Sequence, residues 1–297
     1  MRNTFIETVI KFSRNNPPPY LITGDLGYSV LELFQKEFPD NFINVGILEQ
    51  SMMSMSAGIA SQNQKVFAYS ISNFSTFRAL EQIRLDIAYH NLDVCIVGVG
   101  TGFQYGSAGY SHWAIEDLSA VSGLEKLRIF SPSDPESASE VVLDFLNNGG
   151  PTYLRLGKQN LSLNKISSLV KVGKHINQYG SGNKLIASHG SIAIKVLQSK
   201  YFDQNLHKLI VFNEIPASIN EDIYDIFSKA QSVKVLEDVV YPGSLGSKIS
   251  RFLLDKRLNK TFDWIGVDGK TLKSAGGSEE YLRSRELGSN YIENLLQ

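Results

Sequence analysis

The residues best placed to do chemistry are a glutamate and a histidine, each following a strand-like apolar stretch. Glu49 comes after the run 42–45 and a glycine, and it opens a helix rich in methionine and small residues. Its apolar neighbours predict a partly desolvated carboxylate, which is costly unless the group is hydrogen-bonded or kept protonated. A helix-start glutamate that only uses the helix dipole is the alternative that this stretch leaves open.

His112 closes the glycine-rich loop 98–112. Glycines let a backbone approach a ligand closely, and the histidine comes at the end of that approach. A lone loop histidine is more often structural than catalytic, but both residues follow strands of one predicted sheet edge. Ligands bind at that edge, so we expect Glu49 and His112 to share a site. The loop lacks a complete G-x-G-x-x-G pattern, which disfavours a dinucleotide-binding oxidoreductase.

The elements that must position these residues alternate between strands and helices. The first half has predicted strands at residues 20–23, 42–45, 65–69, 93–98 and 127–130, and helices at 1–16, 30–38, from 49, 76–89, 115–121 and 136–146. The second half has predicted strands near 184–188, 208–212, 232–236 and 262–267, and a helix at 245–254. This alternation predicts an α/β fold of two doubly wound domains with mostly parallel sheets. The predicted domains are 1–160 and 183–297, joined by a polar linker at 161–182.

Composition narrows the class of protein. The chain has 297 residues, 42% hydrophobic and 20% charged, with a net charge of −1, so neither nucleic acid nor an anionic membrane is an expected partner. No apolar run approaches the roughly 20 residues that span a bilayer, and the N-terminus lacks a signal-peptide pattern. Cys95 lies in a strand-like run and is predicted to be an inert core thiol. We therefore expect a cytoplasmic globular protein.

Several motifs in register resemble the transketolase family, which shares its pyrimidine-binding domain with deoxyxylulose-phosphate synthase and the β subunits of 2-oxoacid dehydrogenases. They run through the chain in the expected order: Gly46-Ile47-Leu48-Glu49-Gln50, Arg78-Ala79-Leu80-Glu81-Gln82-Ile83-Arg84, Gly109-Tyr110-Ser111-His112 with Glu116-Asp117, Pro132-Ser133-Asp134 and Tyr153-Leu154-Arg155-Leu156-Gly157. A later motif resembles the C-terminal domain of transketolases: Glu237-Asp238 followed by Gly243-Ser244-Leu245-Gly246.

This resemblance implies a thiamine diphosphate site. Glu49 would hydrogen-bond N1′ of the aminopyrimidine ring, since a buried carboxylate that is kept protonated can donate to that nitrogen. The cofactor would supply the nucleophile that attacks a ketose carbonyl. Phe74 resembles the aromatic that stacks on the pyrimidine, and Phe77 stays open because the alignment is off by one residue. Either can instead be a core phenylalanine. Asp25 resembles a cofactor-site aspartate.

The resemblance also implies a substrate site. His112 would hydrogen-bond the hydroxyl groups of the donor, and Arg78 is also predicted to bind the substrate. Arg2, Ser29 and Arg155 occupy positions that grip a sugar phosphate in transketolases, although Arg2 can also be read as a frayed terminal residue.

Two departures from the family pattern bear on the substrate. Ala108 replaces an aspartate that reads an acceptor hydroxyl, and Gly100 stands where a phosphate-binding histidine is usual. We expect the chemistry to survive both changes. The acceptor, however, should differ from that of the pentose phosphate pathway.

The Gly-Asp-Gly…Asn motif that holds Mg²⁺ in this family has only one imitation here, Val267-Asp268-Gly269, and it lies in the wrong domain. Magnesium needs hard oxygen ligands, so no metal ligand is predicted in this chain. We expect a separate N-terminal subunit to carry the motif and most of the Mg²⁺ contacts. The expected active unit has two copies of each chain, an α2β2 heterotetramer.

The sequence thus predicts the C-terminal subunit of a two-component transketolase, which moves a two-carbon ketol unit from a ketose or ketose phosphate to an aldehyde. The alternatives left open are a β subunit of a 2-oxoacid dehydrogenase or decarboxylase and a non-catalytic paralogue. The histidine loop with Glu116 favours ketol transfer.

Overall fold

The computed structural model describes residues 1–158, 169–216, 219, 223–268, 292–293 and 296. Within them the strands, in chain order, are β1 (Tyr20–Thr23), β2 (Phe42–Asn44), β3 (Val66–Ile71), β4 (Val94–Val99), β5 (Arg128–Phe130), β6 (Thr152–Leu156), β7 (Leu169–Gly173), β8 (Ile176–Tyr179), β9 (Lys184–Ser188), β10 (His207–Phe212), β11 (Glu214–Ile215), β12 (Ser232–Val240) and β13 (Thr261–Val267).

The α-helices of the same ranges alternate with these strands. In chain order they are α1 (Arg2–Ser13), α2 (Glu32–Glu37), α3 (Glu49–Ala60), α4 (Ser72–Phe77), α5 (Leu80–Gln82), α6 (Asp117–Val121), α7 (Pro135–Asn148), α8 (Ile192–Gln198), α9 (Tyr224–Ser228) and α10 (Leu245–Asp255). In the described ranges, no helix has both the length and the apolar composition that crossing a bilayer requires.

The strands form two sheets, as the alternating pattern predicted. The first sheet has the order β11-β5-β6-β4-β3-β1-β2, and every pair is parallel except β11 with β5. The second has the order β13-β12-β9-β10-β8-β7, with β9, β10, β12 and β13 parallel and the β7–β8 hairpin antiparallel. The α/β fold class with mostly parallel sheets is therefore confirmed.

Each sheet has an apolar core on both faces. In β4, Cys95 and Val97 belong to one cluster and Val94 and Ile96 to the other, which is the alternation expected of a strand covered by helices on both sides. The second sheet repeats this pattern with its own pair of clusters. Cys95 is a buried thiol in the core, where the sequence placed it.

The helix predicted at 76–89 is broken into three pieces. A short helix ends at Phe77, α5 follows, and residues Ile83–Ala88 form a π-helix. The hydroxyls of Ser75 and Thr76 both donate to the carbonyl of Ser72, and such bonds compete with regular helix hydrogen bonding. The interruption falls at Arg78, a predicted site residue.

The predicted linker at 161–182 is wrong in part. Strands β7 and β8 lie inside it and extend the second sheet, since β8 pairs with β10 in antiparallel register. Strand β11, from the predicted second domain, pairs with β5 at the edge of the first sheet. One strand from the second half of the chain therefore belongs to the first sheet, while the domain boundaries themselves stay a prediction.

A buried polar network joins the two sheets. His189 contacts Ser131 Oγ through Nδ1 at 2.9 Å and Glu237 Oε2 through Nε2 at 3.0 Å. Glu237 also accepts the backbone N–H groups of Leu245 and Gly246, at the start of α10, at 2.8 Å each. Buried charge is tolerated only when it is paired and hydrogen-bonded, and Glu237 satisfies this condition.

Glu237 gives the stability of the fold a pH dependence. Burial raises the pKa of Glu237, but the hydrogen bonds and charge of His189 and the bonds from Gly246 and Trp264 together hold that pKa below its usual value. A carboxyl whose pKa is lower in the folded than in the unfolded chain stabilises the fold above the unfolded pKa. That contribution is lost as the pH falls through the folded pKa.

We expect Glu237→Gln to lower the free energy of unfolding at pH 7 by about 3 kcal/mol, because the buried N–H groups of Leu245, Gly246 and Trp264 lose their bonds to a carboxylate. Between about pH 5 and pH 3, the variant should lose less further stability than the wild type. Urea denaturation at a series of pH values measures both quantities. Glu140→Gln, at an exposed ion pair with Lys171, is the matched control. Equal pH slopes for Glu237→Gln and the wild type would contradict this assignment.

Candidate active site

The predicted site residues follow the carboxyl ends of neighbouring strands of the first sheet. Asp25 comes after β1, Glu49 after β2, Phe74 after β3 and the His112 loop after β4. Because these strands are parallel, their carboxyl ends meet at one edge. The fold therefore delivers the glutamate and the histidine to the same edge of the sheet, as expected from sequence.

Glu49 is the first residue of α3 and is only 3% exposed. Its two carboxylate oxygens each accept a hydrogen bond from Arg78 Nη1, Oε1 at 3.1 Å and Oε2 at 3.0 Å. The side chain of Arg78 is 47% exposed. Glu49 is thus a fixed, buried acceptor with a partner that can move into solvent.

Phe74 lies between Arg78 and His112. The guanidinium carbon of Arg78 is 4.0 Å from the centroid of the Phe74 ring, a cation–π contact. The His112 ring centroid is 4.9 Å from that of Phe74, at an interplanar angle of 64°. Phe77 is 46% exposed at the end of α4. Of the two phenylalanines that the sequence left open, Phe74 is the one grouped with Arg78, Glu49 and His112.

His112 ends a single turn of 3₁₀ helix and is half-buried. Its Nδ1 is 3.0 Å from Ser111 Oγ, and the Ser111 carbonyl accepts a 2.6 Å hydrogen bond from Asn73 Nδ2. Asn73 is the neighbour of Phe74 in α4, so this bond ties the histidine loop to the helix that carries the aromatic ring. The imidazole is fixed on one side and keeps access to solvent on the other.

Asp25 and Ser29 lie on the loop after β1, and both have positive φ, 56° and 64°. The Asp25 carboxylate accepts hydrogen bonds from Tyr28 Oη and Asn44 Nδ2, at 3.1 and 3.2 Å. The backbone N–H of Ser29 donates to Glu32 Oε1 at 2.7 Å. These contacts order an exposed loop beside Glu49. They bring neither residue into direct contact with the Glu49–Phe74–His112 group.

The prediction that Arg155 binds substrate is wrong. Its side chain is 0% exposed, with Nε 2.7 Å from Asp117 Oδ2 and Nη1 2.9 Å from Asp238 Oδ1. Nη2 donates to the carbonyl of Ala114 at 2.8 Å. Burial lowers the pKa of Arg155, but the two carboxylates raise it above its usual value, so the group stays charged. A guanidinium enclosed in this way cannot reach a substrate.

Lys158, three residues later, is the cation that sequence reasoning missed. Its Nζ lies 3.2 Å from the centroid of the Tyr105 ring, and burial together with the nearby charge of Arg2 lowers its pKa. Tyr105 packs on Gly100, where an added Cβ would lie 2.1 Å from the ring. The feature that could have identified Lys158 from the sequence is its position just after β6, at the same sheet edge as Glu49.

This arrangement fits one half of a thiamine diphosphate site. A buried carboxylate beside an aromatic ring can bind a flat heterocycle that needs one hydrogen bond and one stacking surface. Within the described ranges, no cluster of three histidine, cysteine or acidic side chains could hold a metal ion. Asp268 is exposed, and Gly269 of the imitation motif lies outside the described residues.

Comparison with known proteins agrees with the fold. The chain is 29% identical over 289 residues to a Methanocaldococcus jannaschii protein provisionally named as a transketolase C-terminal section, covering 95% of this chain and 90% of that one. It is 25% identical over 300 residues to one of the subunits of apulose-4-phosphate transketolase from Actinobacillus succinogenes, covering 99% and 96%.

A solved structure described as a split gene transketolase, an inactive β4 tetramer, has the same fold, with a TM-score of 0.83 and 23% identity. The superposition covers 100% of this chain and 96% of that chain. Residues 1–164, more than half of the chain, match the transketolase pyrimidine binding domain. The chain therefore belongs to the transketolase pyrimidine-binding family.

Proposed function

We propose that this chain is one subunit of a two-component transketolase, which transfers a two-carbon ketol unit from a ketose to an aldehyde through thiamine diphosphate. The observation that carries the proposal is the grouping of Glu49, Phe74 and His112 at one sheet edge. It combines a buried acid, a stacking surface and a half-buried histidine. Relatives named as a transketolase section and a transketolase subunit span nearly the same length of chain.

Glu49 has the role of holding the aminopyrimidine ring, with Phe74 as the surface against which the ring stacks. The cofactor, when bound, supplies the carbon nucleophile. Glu49 would hold a proton shared with the ring nitrogen. This role requires a carboxyl shielded from water, and 3% exposure meets this requirement. Arg78 must first release at least one Glu49 oxygen. Its half-exposed side chain makes this displacement possible.

His112 has the role of binding the hydroxyl groups of the donor sugar. Ser111 Oγ engages Nδ1, so Nε2 is the ring nitrogen assigned to the substrate. Contacts with Phe74 and Tyr105, whose ring centroids lie 4.9 and 6.2 Å from that of His112, fix the plane of the imidazole. The histidine orients the donor and stabilises charge that develops on its oxygen.

The diphosphate and Mg²⁺ are assigned to a partner subunit that carries the Gly-Asp-Gly…Asn motif. Around the buried Glu49, this chain exposes large apolar side chains, with Ile47 70%, Leu48 56% and Phe77 46% exposed. Exposed apolar groups beside a buried carboxylate suit an interface that covers the site. We propose two copies of each subunit in the active enzyme. The solved split gene transketolase with the same fold is described as an inactive tetramer of β chains.

Arg2 and Lys158 are proposed to bind an anionic group on the sugar, such as a phosphate. Lys158 lies over the Tyr105 ring, and Arg2 is close enough to affect the pKa of both groups. Two cations held near each other favour an anionic ligand. The relative from Actinobacillus succinogenes is named for a phosphorylated sugar. Ser29 remains a proposed donor to the same group.

We expect Glu49→Gln to reduce kcat of the assembled two-component enzyme by about 10²–10⁴-fold, because glutamine cannot exchange a proton with the ring nitrogen. Thiamine diphosphate should still bind, as followed by fluorescence titration. The matched control is Glu81→Gln, an exposed glutamate on α5, which should keep wild-type turnover. A wild-type rate for Glu49→Gln would remove the proposed role of Glu49.

We expect Lys158→Gln to raise KM for a phosphorylated ketose by about tenfold, which corresponds to the loss of one charged contact. KM for the same ketose without phosphate should stay within a factor of about two. Lys171→Gln on β7, with an exposed lysine, is the control. An equal change in KM for both sugars would show that Lys158 does not bind the phosphate.

A further inference from the structure

The loop that carries His112 has little regular structure of its own. Gly106–Ala108 and Tyr110–His112 are single turns of 3₁₀ helix, and one antiparallel bridge between Gly102 and Ala114 joins the two ends of the loop. The backbone hydrogen bonds within the loop are those of short turns and of this bridge. Short turns open more easily than long helices or strands unless other parts of the molecule hold them. The position of His112 therefore depends on contacts outside the loop.

Three apolar side chains of this loop belong to the core of the second sheet. Phe103, Trp113 and Ile115 are each at most 2% exposed, in one cluster with residues of β9, β10, β12 and α8. Trp113 is the neighbour of His112 in the chain. Because close-packed interiors allow little movement, the placement of Trp113 limits the positions that His112 can reach.

Hydrogen bonds connect both ends of the loop to the second half of the chain. Gln104 Nε2 donates to Ser191 Oγ, just before α8, at 2.9 Å. The backbone N–H of Val240, the last residue of β12, donates to the carbonyl of Ile115 at 2.9 Å. The histidine loop, which follows a strand of the first sheet, is thus fastened to the second sheet as well.

Asp238 is the charged centre of this attachment. It accepts Arg155 Nη1 at 2.9 Å, and the same guanidinium donates through Nη2 to the Ala114 carbonyl at 2.8 Å. The close approach of Asp238 also needs a glycine at 102, since a Cβ there would lie 2.6 Å from Asp238 Oδ2. Ala114 is two residues from His112, so the path from Asp238 to the histidine is short.

We propose that the second sheet positions His112 for the substrate, with Asp238 as a positioning residue that acts through Arg155 and the Ala114 carbonyl. The proposal rests on the proposed function for the role of His112 itself. Without the Asp238 charge, Arg155 keeps only Asp117 as a carboxylate partner. The guanidinium is then fixed less firmly, and its hydrogen bond to the Ala114 carbonyl is weakened. The loop then opens more often, and His112 leaves its position.

Hydrogen exchange, read by mass spectrometry on the full chain, tests this directly. We expect Asp238→Asn to make the amides of residues 100–115 exchange about tenfold faster, while β3 and β4 keep wild-type protection. Asp144→Asn removes a carboxylate from the Arg128 ion pair and is the matched control. It should leave the amide exchange rates of residues 100–115 unchanged. Arg155→Lys is the second variant, which should show the same local increase if Asp238→Asn does not fold.

Unchanged exchange at 100–115 in the folded variants, or an equal increase along the whole chain, would overturn the proposal. In the assembled enzyme, Asp238→Asn should lower kcat about tenfold with KM within a factor of about two, since a misplaced histidine weakens transition-state binding. A wild-type kcat despite faster loop exchange would also overturn it. If the wild-type complex shows no ketol transfer, the proposed function fails, and the exchange result still decides whether Asp238 holds the loop.

Discussion

A guanidinium with no access to solvent must have carboxylates around it, and this constraint joins the two halves of the chain. Arg155 lies on β6 of the first sheet, Asp117 begins α6, and Asp238 lies on β12 of the second sheet. The guanidinium has both of its carboxylate partners only when both sheets are in place. Loss of one partner of a buried ion pair costs several kcal/mol. The packing of the two sheets is therefore energetically linked to the sheet edge that carries Glu49 and His112.

The sheet edge that carries Glu49 and His112 combines a buried carboxyl group with an exposed apolar surface. Glu49 is buried at the start of α3, yet Ile47 and Leu48, immediately before it, are largely exposed. The proposed second subunit accounts for this contrast, because it would cover the exposed apolar surface beside the buried acid. In the proposed function, His112 and Lys158 would bind the sugar from the side that this chain provides.

The sequence predicted what depends on local pattern and on strand order. The alternation of strands and helices indicated parallel strands covered on both faces. Parallel strands bring Glu49 and His112 to one edge whatever the details of packing. The role of Arg155 could not be predicted, since a substrate-binding arginine and a buried structural one are identical in sequence. Pairing of β11 with β5 depends on contact between segments that are distant in the chain. Lys158 was missed because its surroundings only assemble in three dimensions.

The function proposed for this chain requires that the cofactor be held between it and a separate subunit. Native mass spectrometry of the tagged chain, purified gently from its own cells, tests this requirement most directly. We expect a complex with two copies of each subunit, in which the partner carries Gly-Asp-Gly…Asn and thiamine diphosphate is bound. A complex built from this chain alone that binds thiamine diphosphate and Mg²⁺ and transfers ketol units would contradict it.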